Sequence, residues 1–142
     1  MKNKMETMAT RLLRLIGASI CTAMIPAFFP LNWMNAIHGW LGLGEIPHQP
    51  IFEYLARSLC LMYFAHGCMV LAVSTDVVRY RPLVFLIGGL NLLLGALLIL
   101  VDYWAKMPMF WTAMEGPPIF GVGILLLWIA RSISEDSPNG DA

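Results

Sequence analysis

This sequence has little charge: Asp, Glu, Lys and Arg make up 13% of 142 residues, against 58% hydrophobic. A mean hydropathy of +0.69 argues against an ordinary water-soluble domain and for a bilayer as the main solvent. Nine basic residues balance nine acidic ones, so there is no overall basic field to attract nucleic acid. Cysteine is scarce too. Cys21, Cys60 and Cys68 lie in apolar stretches without CxxC spacing, so no disulfide framework, redox motif or zinc motif is expected, and all three read as buried free thiols. Cys60 and Cys68 sit about 12 Å apart on one helix and cannot bridge each other. Internal repeats and phosphate-cradling glycine loops are also missing.

What remains is four apolar runs. Pro82 to Val101 is uncharged and as a helix covers about 30 Å, the thickness of the hydrocarbon core. Spans are expected over about 12–29, 51–75, 82–102 and 110–131. Pro50 suits the first turn of the second, and Pro26 is expected to kink or shorten the end of the first. Gly116 to Ala130 gives only about 22 Å, so the fourth span must begin near Phe110 or Trp111 and carry Glu115 to the membrane boundary, or else be short and thin the bilayer. Lys2, Lys4, Arg11 and Arg14 before the first span resemble a signal-peptide start. No clear A-x-A site follows and Ile20 precedes Cys21, so a retained helix is expected.

Orientation follows from the basic residues of the short loops. Lys2, Lys4, Arg11, Arg14, Arg79, Arg81 and Arg131 fall on one side, leaving only Arg57 and Lys106 for the other. Both termini are therefore expected in the cytoplasm of a bacterial cell, the chain lying in its plasma (inner) membrane. Residues 31–50 contain no Lys or Arg. There Trp33, Met34, Ile37, Trp40 and Leu41 form the stripe of an amphipathic helix over about 32–42, with Asn32 as its cap, expected to lie in the external interface. Residues 132–142 are polar and read as a disordered cytoplasmic tail. The expected fold is all-α: a polytopic four-helix membrane bundle with one short external interfacial helix.

Few residues are equipped for chemistry. On the third span Val84, Gly88, Asn91, Gly95, Leu98 and Asp102 share one stripe, which should face the bundle. Gly88, Gly89 and Gly95 are read as close-packing positions, and Asn91 as an interhelical hydrogen-bond donor or, more sharply, a ligand contact. Glu53 and Arg57 are i, i+4 neighbours in the favourable order for an ion pair. With Asp102 and Glu115 expected at similar depth, they define a candidate external polar site. His38, Glu45 and His48 hang above it. Their spacing matches no metal motif, so no metal is expected. His66 is the only histidine deep in a span and lacks the second histidine that a bis-histidine haem needs; a hydrogen-bonded imidazole or a proton relay is open to it. No cofactor is expected.

Trp33, the run His38–Gly44 (HGWLGLG), Pro50–Ser58 (PIFEYLARS), Arg79–Val84 (RYRPLV) and Glu115–Pro118 (EGPP) together resemble a group of short bacterial four-helix membrane proteins with no established activity. The size, the four-span plan and the YLAR sequence opening an apolar helix are also loosely similar to the DoxX-like small membrane proteins. The resemblance implies a four-span membrane fold and supplies no catalytic residue. Three function classes follow. The leading one is a non-catalytic accessory or small-ligand-binding membrane component, with a membrane-complex partner or copies of itself as its associates. The second is an enzyme or redox component acting on a lipid or quinone-like molecule, with Glu115 or His66 exchanging protons. The third is a small oligomeric transporter.

Overall fold

The computed structural model describes residues 4–135, and these are helical apart from short connections. Five helices follow one another: α1 (Lys4–Cys21), α2 (Leu31–Trp40), α3 (Pro50–Val73), α4 (Arg81–Ala105) and α5 (Met109–Glu135). Four segments are long and apolar enough to cross a membrane: Lys4–Phe28, Pro50–Val73, Arg81–Ala105 and Met109–Ile133. Only 17% of the most apolar part of α4 is buried, so its leucines point outward, an arrangement stable in lipid and not in water. The chain divides into two compact units, one of Leu13–Ala72 and the other of the described parts of Met1–Leu12 and Val73–Ala142.

In the unit Leu13–Ala72, α1 gives way to two short 3-10 turns, Thr22–Met24 and Pro26–Phe28. Pro26 removes the N–H that a continuing α-helix would need, and the chain leaves Phe29 extended (φ −66°, ψ 143°) into Pro30. α2 then starts from Pro30 with no side-chain cap, so the expected capping role of Asn32 is not realised: that residue lies inside the helix. The end of α2 is a Schellman turn. Leu43 N–H donates to His38 O at 2.9 Å and Gly42 N–H to Gly39 O at 3.1 Å, with Gly42 at φ +70°, the left-handed conformation that glycine tolerates without strain. Asn35 Oδ1 accepts from Ile46 N–H at 3.0 Å, which folds the following loop back onto α2. α1 and α3 touch through glycines: a Cβ on Gly67 would meet Cys21 Sγ at 2.8 Å and Gly17 O at 2.9 Å.

In the other unit, α4 and α5 form an antiparallel hairpin. α4 ends at Lys106 in the left-handed conformation (φ 55°, ψ 40°), with Met107 N–H donating to Asp102 O at 2.9 Å. The two helices meet along glycines seven residues apart on each. A Cβ on Gly95 would lie 2.7 Å from Phe120 N and 2.9 Å from Gly116 O, and one on Gly123 would lie 2.7 Å from Leu92 N and 2.9 Å from Gly88 O. Such backbone contact is the small-residue packing that lipid-embedded helices rely on. Gly89, expected to share this role, faces open space with nothing within 4 Å of its Cβ position; one residue on from Gly88, it points about 100° away. α5 continues past Arg131 to Glu135, with Ser132 Oγ donating to Trp128 O at 3.0 Å. Residues 132–135 are thus helix, against the expected disordered tail, and the rest of that expectation falls on 136–142, outside the described residues.

Candidate functional site

The break at the end of α1 creates the setting for Arg57. Chain termination at Pro26–Pro30 leaves backbone carbonyls without helical donors. Arg57 on α3 supplies them: NH1 donates to Ala27 O and NH2 to Phe29 O at 3.0 Å. The same guanidinium holds Glu53 Oε1 from Nε at 3.0 Å and from NH2 at 2.7 Å. Side-chain exposures of 30% and 39% leave the pair half-buried against the end of the first span. All four hydrogen bonds stay inside the unit Leu13–Ala72. The expected i, i+4 pair with Glu53 forms, and the other two partners are main-chain oxygens, which no side-chain pattern announced. Asp102 and Glu115 belong to the other unit. Arg57 is a fastener between α3 and the end of the first span.

Asp102 lies on the face of α4 that carries Gly88 and Gly95, the face turned to α5. Its side chain is 4% exposed, and its Oδ2 is buried with no hydrogen-bond partner. The contacts of Gly95 with Gly116 and Phe120, and of Gly123 with Gly88 and Leu92, set the register, which brings Asp102 about level with Trp111 in the first turn of α5. Glu115 stands about 6 Å deeper along α5, one helical turn, so the two acids are offset in depth by that turn. The fixed glycine contacts decide this. Glu115 Oε2 instead accepts from the indole N–H of Trp111 at 2.6 Å, an i, i+4 pair within one helix. Pro117 and Pro118 follow inside α5; without N–H groups they leave the carbonyls of Ala113 and Met114 unbonded within the helix.

The remaining candidates stay apart. Asn91 is half-buried and makes no hydrogen bond among the described residues, so the expected interhelical bond is not formed. His66 is half-buried on α3, likewise without a hydrogen bond to any described residue. His38 is half-buried on α2 and His48 is exposed in the loop after it. Among the described residues no three His, Cys, Asp or Glu side chains stand close enough to hold a metal ion. Cys21 and Cys60 are half-buried and Cys68 is exposed, which corrects the reading of three buried thiols, and Cys21 Sγ lies 3.9 Å from Cys68 Sγ. The sequence missed this pair because the two residues are 47 positions apart and show no motif. No protein-family model, curated protein or solved structure matches the chain.

Proposed function

We propose that this chain is a non-catalytic accessory component of a bacterial inner-membrane complex, with its termini in the cytoplasm and the α4–α5 turn outside. Its contact with the partner centres on Asp102. The observation that carries this reading is the buried Oδ2 of Asp102 without a donor. A desolvated carboxylate oxygen left unbonded costs about 1–3 kcal/mol or more, and an ionisable side chain at membrane depth marks function unless packing explains it. The other acids of the expected site are answered within the chain, Glu53 by Arg57 and Glu115 by Trp111. Asp102 is therefore the acid left to accept a basic or hydrogen-bond-donating group from outside, and a Lys or Arg on a partner helix has the matching chemistry.

The test is native electrophoresis of tagged protein extracted from its own membranes in a mild detergent. Wild type should migrate with a partner in a complex larger than the chain and its detergent, and Asp102→Asn should release the free chain. Migration of the wild type as the free chain would overturn the proposal. A complex containing only copies of this chain would replace the accessory role with self-assembly.

A further inference from the structure

At the open end of the α4–α5 hairpin, away from Asp102, two arginines form no ion pair among the described residues. Arg81 is the first residue of α4, and its Nε donates to Ala130 O on α5 at 2.7 Å. That bond fixes the plane of the guanidinium, while both of its terminal NH2 groups make no hydrogen bond to the described residues. Arg131, next to Ala130, stands with its guanidinium carbon 5.9 Å from the Phe85 ring centre and makes no hydrogen bond to a described residue either. Asp76, the acid in the turn before α4, accepts from the main-chain N–H of Arg79 at 3.0 Å. Among the described residues it forms no ion pair with these arginines. A cavity of about 350 Å³ opens here, lined by Arg81, Pro82 and Phe85, within the range of about 300–1,000 Å³ usual for small-ligand clefts.

We propose that this cavity binds the phosphate of an anionic phospholipid headgroup, held by Arg81 in its wall and drawn by Arg131, which stands over the Phe85 ring that lines it. A guanidinium offers a planar fork of donors matched to phosphate oxygens, and its one anchored edge leaves the other aimed and pre-ordered. The depth is right for a headgroup: Arg81 opens one membrane-spanning segment, and Arg131 lies just before Ile133 closes another. The exposed faces of Phe85 and of Trp128, one turn deeper on α5, offer apolar and interfacial contact to glycerol and the upper acyl chain. The positive end of α4 adds to the attraction. A soluble phosphate compound shares the headgroup chemistry but gains nothing from the lipid-facing rings. This inference does not depend on the role proposed for Asp102, which lies at the opposite end of the hairpin.

The experiment is a thermal-shift titration of the full chain in detergent with phosphatidylglycerol, phosphatidylcholine, and inorganic phosphate or glycerol 3-phosphate. Phosphatidylglycerol should raise the unfolding midpoint where phosphatidylcholine does not. Arg81→Gln and Arg131→Gln should each weaken that response about tenfold in lipid concentration, while Arg14→Gln, which removes the same charge from α1, should change it less than about twofold. Arg131 makes no hydrogen bond to the described residues, so its variant reads the site even if Arg81→Gln folds poorly. An equal response to both lipids, or an equal loss with Arg14→Gln, would overturn the site. An equal response to the soluble phosphates would overturn the lipid as its source.

Discussion

Arg57 donates to the carbonyl of Phe29 at 3.0 Å, so a charge on α3 completes the hydrogen bonding of a segment 28 positions earlier. Removing it strands two carbonyls and the Glu53 carboxylate together. Arg57→Ala is expected to lower unfolding stability in detergent by about 3 kcal/mol, with Arg57→Lys recovering less than half because an ammonium lacks the fork that spans both carbonyls. Glu53→Gln should cost about 1 kcal/mol or less. Chemical unfolding of the three variants measures this, and equal losses for Arg57→Ala and Glu53→Gln would show that the carbonyls are not the main partners.

Gly89 and Gly95 of α4 should respond oppositely to one methyl group. On Gly95 it collides with the backbone of Phe120 and Gly116, and separating the helices should cost about 2 kcal/mol. On Gly89 it meets open space, and the gain in helix propensity should stabilise by about 0.5–1 kcal/mol. Thermal midpoints of Gly95→Ala and Gly89→Ala check the sign of each, and a shift in the same direction for both would mean that the α4–α5 contact is misplaced.

Lys106 holds the left-handed position that ends α4, at φ 55°. A side chain there costs about 1 kcal/mol relative to glycine. Lys106→Gly should therefore raise the unfolding free energy by about that amount, and a loss of stability on substitution would contradict the turn geometry.

Cys21 and Cys68 have sulfurs 3.9 Å apart, close enough for small rotamer changes to bring them to bonding distance. Mild oxidation with copper phenanthroline should give an intramolecular Cys21–Cys68 disulfide, seen by peptide mass spectrometry, with Cys60 left reduced. A product made only of chains joined to one another through the exposed Cys68 would show that α1 and α3 do not cross at Gly17 and Gly67.

Asp102 is expected to be a liability in the isolated chain. Asp102→Leu removes an unbonded buried oxygen and should raise the unfolding free energy of the purified protein by about 1–3 kcal/mol while abolishing the larger complex in native membranes. Destabilisation of the purified chain would reveal an internal partner for this carboxylate.

Hydropathy and helical period are local properties, and what they reach was legible. The four apolar runs emerge as the four long helices, because a run that must satisfy every backbone group inside lipid has the helix as its open-chain solution. The buried face of α4 through Val84, Gly88, Gly95 and Asp102 follows from the same periodicity, since residues at steps of three and four share a side wherever the helix is placed. The acid that ends this stripe was visible as a polar residue on an inward face.

What the sequence did not show depends on partners that leave no mark in a residue's own neighbourhood. Arg57 was recognisable as a charge in need of acceptors. Two of those acceptors are main-chain oxygens of Ala27 and Phe29, which any residue there would present, so no side-chain pattern points to them. Gly88 and Gly89 are alike in sequence, and only the seating of α5 makes one a contact and the other a lipid-facing position. The same seating offsets Asp102 from Glu115 by about one turn and leaves Asn91 without a hydrogen bond to a described residue, because close backbone packing admits one register and each side chain takes the neighbours that register provides.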